Sequence, residues 1–412
     1  MSTAALTLEE GLARMAAIAG EAHTRVHDET IEAAPGDARE AAAILRLANE
    51  NGLAVTPVGG GTKLGWGNPV AAQIRLSLER MNAVREHSWQ DMTCTVEAGC
   101  TWAAMQAELA RHGQTAALDP LWPERATVGG IVAANDSGAL RLKYGGLRDL
   151  IIGMTVVLAD GTIAKTGGKV VKNVAGYDLH KLMTGSFGTL GVITEVNFRL
   201  HPAEDRAQIW TANAADAAEF AEPLRALLDT QMVPSAVQLR AGKDGCALDV
   251  RIAGRGETLK DCERRLMKIF SEIGMVPSEE AVWRARQELF DAENAAILKV
   301  SMLPAEVCAV CAEVRQWAAG EGTGVSCVAY AFGLMTIAIE AAPDAVTAFI
   351  TRLRARLRPT GGGVVVLQAP DEVRSGLEVW GCESDTLPLM REIKRRFDPN
   401  RILNPGRFVG NI

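Results

Sequence analysis

The stretch PVGGGTKLGWG, residues 57–67, is the most informative segment of this 412-residue chain. It overlaps the strand-like segment LAVTPV, residues 53–58, so a buried strand runs straight into three successive glycines. Glycine lets the backbone turn sharply and approach a ligand closely, and successive amide N–H groups in such a turn form a concave nest for phosphate oxygens. The loop has neither the GK[ST] ending of a Walker motif nor the helix that follows a Rossmann glycine motif. Taken alone it leaves two readings open, a phosphate-binding loop of another kind or a structural turn.

Two further glycine-rich elements follow within the first 200 residues. The second is ATVGGIVAANDSG, residues 126–138, where small residues permit close contact with a flat ligand and a few side chains supply hydrogen-bonding groups. The third is KNVAGYDL, residues 172–179, followed by GSFGTLGVIT, residues 185–194, again a turn ahead of a strand. Three such elements in order are far harder to explain as separate structural loops than the first loop by itself.

Hydrophobic periodicity predicts alternating short elements around these loops. We predict a helix over residues 36–50 with Ile44, Leu45 and Ala48 on one face, and a second helix from residue 101 that ends at Gly113. Strands are predicted at residues 74–78 and 93–99, followed by a hairpin over 151–167 with an Asp-Gly turn.

The second half of the chain has a different pattern. Strand–strand–helix order occurs twice between residues 206 and 385, which predicts one antiparallel sheet with helices on one face. We therefore expect three parts: residues 1–205, a smaller α+β cap domain over 206–385, and a C-terminal segment, 386–412, that carries FDPNRILNPGRF.

Composition excludes some classes of partner. A net charge of -7 offers no broad basic face for a nucleic acid. The basic run at residues 394–396 is interpreted as a solvated helix face. The eight cysteines are expected to be reduced core residues, including Cys308 and Cys311, whose CxxC spacing has no second pair to complete a metal site. No segment is long and apolar enough to predict a membrane span, and the start lacks the features of a signal peptide, so we expect a cytoplasmic protein that reaches the inner membrane only through partners.

The three glycine-rich elements resemble, in order and spacing, the FAD-binding (PCMH-type) domain of the vanillyl-alcohol-oxidase-like flavoproteins. The resemblance covers residues 30–205 and returns at residues 397–408, a signature typical of FAD-linked 2-hydroxyacid oxidases. It implies an α+β fold: an FAD-binding domain of two α+β subdomains, then a ferredoxin-like α+β FAD-linked-oxidase C-terminal domain. Within the family, the chain is most similar to the smaller, E-type FAD-binding subunit of three-subunit bacterial glycolate oxidase.

The resemblance also implies which residues hold FAD. The pyrophosphate would lie on the first loop and the flavin and ribityl chain along the second, with the adenine end on the third and the C-terminal segment closing over the isoalloxazine ring. The residues are Gly59, Gly60, Gly61, Thr62 and Lys63, with Thr127, Gly129 and Gly130 continuing that contact; Asn135, Ser137 and Gly138; Gly188, Gly191, Val192 and Ile193; and Asn404 with Pro405. Because the first loop offers Thr62 and Lys63 rather than His or Cys, we expect non-covalent FAD. No metal site is expected.

The catalytic base is not identified by the sequence. Large catalytic subunits of the family carry a histidine-rich segment in the C-terminal half, whereas this chain has no histidine after His201. Weak candidates are Tyr144, Tyr177 and His180, with a structural role more common for the histidine. Arg141, Lys143, Arg148 and Lys172 are cations near the flavin motifs that either contact a substrate carboxylate or the flavin, or support loops.

Two enzymatic hypotheses and one other follow. The first is an FAD-binding subunit of a glycolate oxidase complex that supports oxidation of glycolate to glyoxylate and flavin electron transfer, with a larger FAD-binding subunit and an iron–sulfur subunit as partners. The second is a self-sufficient FAD-dependent dehydrogenase of a 2-hydroxy acid such as D-lactate. The third is a non-catalytic scaffold whose flavin pocket has decayed.

Overall fold

The computed structural model describes residues 6–169, 177–292, 294–381 and 385–412. Its strands are β1 Thr24–His27, β2 Thr30–Ala33, β3 Val55–Val58, β4 Ile74–Ser77, β5 Val84–Ser88, β6 Thr93–Glu97, β7 Gln114–Thr115, β8 Ile151–Val157, β9 Ile163–Gly167, β10 Val192–Arg199, β11 His201–Pro202, β12 Ala207–Ala214, β13 Ala236–Gly242, β14 Gly245–Ala253, β15 Val276–Ser278, β16 Ala296–Ser301, β17 Gly324–Tyr330, β18 Leu334–Glu340 and β19 Gly363–Gln368. Its helices are α1 Leu8–Ala19, α2 Ala38–Asn51, α3 Trp102–Ala110, α4 Val128–Ala134, α5 Arg141–Tyr144, α6 Leu147–Leu150, α7 Leu179–Met183, α8 Ala221–Leu228, α9 Gly256–Ile269, α10 Ala285–Glu288, α11 Val307–Glu321, α12 Pro343–Leu357, α13 Asp371–Ser375 and α14 Leu387–Phe397.

The chain divides into two compact units. Unit 1 comprises Met1–Ser137, Gly146–Ala203 and Glu383–Ile412, and unit 2 comprises Gly138–Gly145 and Glu204–Cys382. The domain limits expected from the sequence stay a prediction, and the units differ from them in the placement of residues 138–145.

Unit 1 contains two main sheets. The smaller has the order β1-β2-β4-β3, in which β4 pairs in parallel with both β2 and β3. The larger has the order β5-β6-β10-β8-β9 and is antiparallel throughout. Strands β7 and β11 form a short two-stranded ladder. The predicted hairpin is confirmed as β8 and β9.

Local signals account for the helices beside the smaller sheet. The Asp37 carboxylate caps α2 by accepting the backbone N–H groups of Arg39 and Glu40 at 2.7 and 2.9 Å, and Gly52 ends the helix in the left-handed conformation. The predicted buried face of α2 is confirmed, because Ile44, Leu45 and Ala48 are all fully buried. The predicted end of α3 at Gly113 is wrong. The helix stops at Ala110, and the glycine belongs to the turn that follows.

Unit 2 is built on one eight-stranded antiparallel sheet with the order β15-β12-β14-β13-β17-β18-β16-β19. Alternate residues of its strands, such as Leu248 and Val250, share a core with α8, α9, α11 and α12. The predicted antiparallel sheet with helices on one face is therefore confirmed for the four long helices. The CxxC cysteines Cys308 and Cys311 are buried in this core as expected, and the Sγ of Cys311 lies 3.3 Å from that of Cys327.

The opposite face of this sheet carries a buried polar cluster. The Asp249 carboxylate, fully buried, accepts hydrogen bonds from Thr211 Oγ1 at 2.7 Å and Gln238 Nε2 at 2.9 Å, and pairs with both Nε and Nη2 of Arg240 at 2.6 and 2.9 Å. Gln238 also donates to the carbonyl of Val282 at 2.7 Å, which lies in a short 3-10 turn just before α10. The segment around residues 280–288, which the sequence did not predict, therefore contacts the face opposite the long helices.

Candidate functional site

The first glycine-rich loop lies directly against the start of the second. A Cβ at Gly59 would overlap Thr127 Oγ1, and one at Gly60 would overlap the carbonyl oxygen of Arg125. Gly61 has a φ of 71°, which favours glycine, and a Cβ there would meet only Leu64 within 4 Å. The first two glycines are thus required by the packing of one loop on another, and the third by its backbone conformation.

The second element forms α4 and its cap. Thr127 Oγ1 accepts the Gly130 N–H at 3.4 Å, and a Cβ at Gly129 would approach Ala98 Cβ to 2.7 Å. Glycine at this position lets α4 lie close to the residues that follow β6. Asn135 ends the helix with a φ of 49°, a left-handed conformation that asparagine tolerates.

A groove that is open to solvent runs between these loops within unit 1. Twelve of the residues expected at the cofactor line it: Gly59, Gly60, Gly61, Thr62, Lys63, Thr127, Gly129, Gly130, Gly188, Gly191, Ile193 and Asn404. The sequence did not single out another eight: Pro57, Val58, Leu64, Leu78, Ala133, Ala134, Phe187 and Arg407.

Five of the expected cofactor residues do not line the groove, among them Pro405, which directly follows Asn404. Asn135 caps the C-terminal end of α4, and the side chain of Val192 is buried in the core of unit 1. Ser137 is buried at the end of the first segment of unit 1, and Gly138 begins the first segment of unit 2. The fragment from Lys172 to Gly176 of the third motif lies outside the described residues, so the position of Lys172 is not part of the site geometry.

A buried cation from the first loop lines the groove. The Lys63 ammonium lies 3.3 Å from the Asp136 carboxylate, and both side chains are buried. The same ammonium lies over the rings of Trp66 and Trp122, 5.6 and 5.2 Å from their centroids. Asp136 also accepts the Leu121 N–H at 2.9 Å, so the ion pair ties the first loop to the chain on either side of α4.

A second buried cation, Arg407, comes from the C-terminal segment. Its guanidinium donates to the carbonyls of Trp66, Lys63 and Leu64 at 3.2, 2.9 and 3.1 Å. Burial lowers the pKa of this arginine to about 10, which leaves it charged at neutral pH. The quoted signature FDPNRILNPGRF contains Arg407, yet only the two residues before its glycine were assigned a role. Its position directly after the Asn-Pro-Gly turn was the sequence signal that could have identified Arg407 as a site residue.

Asn404 joins the C-terminal segment to the third glycine-rich element. Its φ is 40°, and its Nδ2 donates to the carbonyl of Phe187 at 2.7 Å. Asn404 is only 1% exposed, and its Oδ1 has no hydrogen-bond partner. A buried acceptor without a partner is costly, so this atom is a place where a bound molecule can supply a donor.

The three candidate bases do not line the groove. Tyr144, in unit 2, donates its hydroxyl to Glu204 Oε1 at 2.8 Å, and burial together with that hydrogen bond raises the pKa of the phenol. This hydroxyl therefore stays a donor, which disfavours Tyr144 as a base. Tyr177 is 89% exposed. His180 is buried on α7 with its Nδ1 unpartnered, and burial lowers the pKa of the imidazole.

The nearby cations have partners of their own. Lys143 pairs with Glu204 at 3.2 Å, Arg141 lies over the Phe332 ring at 5.3 Å, and Arg148 donates to the carbonyl of Thr184 at 3.2 Å. In the part of the chain that the structure describes, no three His, Cys, Asp or Glu side chains are grouped so as to hold a metal ion. Within the same residues, none of the helices has the length and apolar character needed to cross a membrane.

Comparison with known proteins identifies the two motif regions. Residues 30–167 match the FAD binding domain family, and residues 382–408 match the C-terminal domain of FAD linked oxidases. An uncharacterized FAD-linked oxidoreductase of Mycobacterium tuberculosis is 28% identical over 92% of this chain and 90% of its own length. D-lactate dehydrogenase of Archaeoglobus fulgidus is 27% identical over 94% of this chain and 93% of its own. Glycolate oxidase subunit GlcD of Bacillus subtilis is 34% identical over 50% of this chain and 44% of its own.

Solved structures share the whole fold. That of 4-ethylphenol oxidase from Gulosibacter chungangensis superposes with a TM-score of 0.76 at 17% identity, covering 97% of this chain and 96% of its own. That of glucooligosaccharide oxidase from Acremonium strictum superposes with a TM-score of 0.66 at 16% identity, covering 95% and 97%. These solved structures show the PCMH-type fold. The FAD binding domain, the C-terminal domain of FAD linked oxidases and the similarity to the curated relatives show that the chain is an FAD-linked oxidoreductase.

Proposed function

We propose that the groove of unit 1 holds FAD, with the diphosphate at residues 59–63. The fit rests on three observations. The groove is lined largely by glycine and small residues, two buried cations face it, and Asn404 offers an acceptor without a partner. An anionic diphosphate would accept hydrogen bonds from the loop amides and would be attracted by the positive charges of Lys63 and Arg407. A hydrogen-bond donor of the cofactor would give Asn404 Oδ1 its partner.

We also propose that the FAD is non-covalent. The fold itself accepts linked flavins, since one related structure is described as having a 6-S-cysteinyl, 8α-N1-histidyl FAD. The described lining of this groove contains no cysteine, histidine or tyrosine. Acid precipitation of the purified protein is therefore expected to release all yellow colour into the supernatant, and colour that stays with the pellet would contradict the proposal.

The proposed reaction is oxidation of a small 2-hydroxy acid, because the named relatives include a glycolate oxidase subunit and a D-lactate dehydrogenase. FAD, when bound, supplies a two-electron acceptor. This chain's own residues bind the cofactor, hold its charged end and keep the C-terminal segment against it. The described groove lining contains no imidazole, phenol or carboxylate to take the hydroxyl proton.

Our first assignment is an FAD-binding subunit of a glycolate-oxidase-type complex, and it is supported by the sequence, which has no histidine after His201. The proposed partners are a larger FAD-binding subunit and an iron–sulfur subunit, and the proposed location is the cytoplasm or the inner-membrane surface through those partners. The second candidate is a self-sufficient 2-hydroxyacid dehydrogenase with a D-lactate-like substrate. It is favoured by the end-to-end similarity to the Archaeoglobus D-lactate dehydrogenase.

Anaerobic flavin reduction separates the two. The purified chain is expected to show an oxidised flavin spectrum that glycolate and D-lactate leave unchanged, whereas the complex co-purified with its partners bleaches with glycolate. Prompt bleaching of the isolated chain would favour the second candidate. In that case Tyr144→Phe and Tyr177→Phe test the two phenols as bases, and a base variant should lose reduction while keeping the yellow colour. A colourless protein that takes up no added FAD would overturn both.

A further inference from the structure

One residue of the basic run on α14 is buried, contrary to the sequence interpretation. Arg395 and Arg396 are exposed and pair with Glu392 at 2.6 and 2.9 Å, as expected of a solvated face. Lys394 is only 3% exposed, and its ammonium pairs with Asp398, which is fully buried, at 2.6 Å. A buried charge of this kind needs full compensation from its surroundings.

The Lys394 ammonium uses all three of its donors. It donates to the Asp398 carboxylate, to the carbonyl of Leu403 at 2.9 Å, and to the carbonyl of Thr189 at 2.8 Å. The Asp398 carboxylate is also saturated, because it accepts the N–H groups of Ile402 and Leu403 at 3.0 and 2.8 Å. One ion pair thus sets the backbone of residues 398–403 and joins it to the loop that follows α7.

The residues fixed in this way reach the first glycine loop as well as the loop that follows α7. The Ile402 carbonyl accepts the Val55 N–H at 2.7 Å, and Asn404 donates its N–H to the Val55 carbonyl at 2.9 Å, so this segment lies parallel to the start of β3, the strand that leads into the first glycine loop. Downstream, the side chain of Asn404 contacts the Phe187 carbonyl, and Arg407 contacts the carbonyls of the first loop. The C-terminal segment therefore holds three elements of the groove wall together.

We propose that Lys394 and Asp398 are positioning residues for the cofactor: the buried pair fixes the C-terminal segment, and through Asn404 and Arg407 it sets the affinity of the groove for FAD. This inference rests on the proposed FAD site. Neither residue lines the groove, so their effect passes through the segment that they anchor.

A role of the Lys394–Asp398 pair in positioning the segment can be separated from a role in stabilising the fold by removing both charges together. Removing one partner of a buried pair leaves an uncompensated charge and destabilises the fold, whereas replacing both partners by neutral groups is often nearly neutral. The double variant Lys394→Met/Asp398→Asn keeps the volume of both side chains and removes both charges. It also leaves the carbonyls of Thr189 and Leu403 without the ammonium donor, so the registration of the segment is expected to be lost at a modest cost in stability, with the fold retained.

The test measures FAD dissociation constants by flavin fluorescence and the thermal unfolding midpoint of the apoprotein. The double variant is expected to unfold within a few degrees of wild type. Its FAD dissociation constant is expected to rise about tenfold or more, as loss of well-placed hydrogen bonds implies. The matched control Arg395→Met/Glu392→Gln removes an exposed pair from the same helix and is expected to change neither quantity. A double variant that binds FAD within twofold of wild type overturns the inference. Failure of wild type itself to bind FAD overturns the proposed function instead.

If the double variant does not fold, a measurement on the wild-type protein still tests the proposal. Amide hydrogen–deuterium exchange of peptides spanning residues 398–407 and 186–191 is compared with and without FAD. Exchange in both peptides is expected to slow together on binding, with no change in peptides from α9 in unit 2. If FAD slows exchange in the first glycine loop but leaves exchange in residues 398–407 unchanged, the C-terminal segment is not stabilised by the cofactor and the inference is wrong.

Discussion

The groove of unit 1 and the polar cluster of unit 2 both bury charge, but they satisfy it differently. In unit 2, Asp249 has four hydrogen bonds from Thr211, Gln238 and Arg240, all within the same sheet. In unit 1, Arg407 is held by backbone carbonyls, and Asn404 keeps an acceptor without a partner.

The unit 2 cluster also contains an acceptor without a partner, Gln238 Oε1. What distinguishes unit 1 is that Asn404 and two buried cations line a groove that is open to solvent. A carboxylate whose hydrogen-bonding capacity is filled by its own strands contributes to the fold and offers little to a ligand. A groove in which Arg407 is held by backbone carbonyls and Asn404 Oδ1 has no partner has interactions left for another molecule. Substitutions in the two regions should therefore affect different measurements, stability for unit 2 and flavin affinity for unit 1.

The largest expected effect is on the unit 2 cluster. Asp249→Ala removes the carboxylate that compensates Arg240 and leaves Thr211 and Gln238 without their acceptor, which should cost about 3 kcal/mol of stability. Urea unfolding of the apoprotein measures it, with FAD affinity of the folded protein expected to stay near wild type. Arg225→Ala, which breaks only exposed pairs on α8, is the control and should leave the stability nearly unchanged. Equal losses in the two variants would contradict the role of burial.

Next is the first glycine loop. Gly60→Ala places a Cβ on the Arg125 carbonyl oxygen, so the loop must shift from the start of α4. A strain of about 2 kcal/mol is expected, which corresponds to roughly thirtyfold weaker FAD binding if the loop carries the diphosphate. Gly65→Ala is the matched control, because a Cβ there meets nothing within 4 Å. Titration of both apoproteins with FAD measures the difference in affinity. Equal affinities of the two variants would contradict a role of loop packing in FAD binding.

A smaller effect is expected at Asn404. Glycine accepts the positive φ without strain, so Asn404→Gly removes the side chain alone. Because Oδ1 has no partner within the chain, the substitution should destabilise the FAD complex more than the apoprotein. The expected difference is about 1 kcal/mol, or fivefold in FAD affinity. The gain in thermal midpoint on adding FAD measures the difference. Asn411→Gly, an exposed asparagine with a φ of 59° in the same segment, should keep the full gain.

The smallest effect concerns His180 and pH. Burial lowers its pKa, with Asp178 opposing and Lys181 reinforcing the shift. The unfolded imidazole takes up a proton near pH 6.5 and the folded one only at lower pH, so the unfolded state binds more protons between these values. Stability should fall as pH drops below about 6.5 and be flat above it. Urea unfolding from pH 5 to 8 should show a shallower fall for His180→Gln, and an identical slope would contradict the buried neutral histidine.

Much of the fold was readable from local pattern. Periodicity located α2, the β8–β9 hairpin and the antiparallel sheet of unit 2, because each depends on residues close in sequence. The glycine-rich motifs predicted most of the groove lining, because each motif is a continuous stretch of sequence. The sequence also led to Asn404, through the resemblance of its motif.

The remaining residues depend on contacts between distant parts of the chain. Lys394 lies in the same basic run as its exposed neighbours, and one of its three acceptors, the carbonyl of Thr189, is 205 residues away. Tyr144 follows a flavin motif in sequence, yet its hydroxyl is bound to Glu204, 60 residues later. Helix periodicity and motif proximity carry no information about such partners.

The pairing of Ile402 and Leu403 with β3 has a consequence for biosynthesis. The first glycine loop leaves the ribosome more than 330 residues before the segment that completes its wall, and all of unit 2 is made in between. Contacts this distant in sequence form late and slow folding. The nascent chain should therefore acquire cofactor affinity only after residues 398–407 have left the ribosome, and a protein cut short at residue 397 should fold unit 2 yet remain colourless.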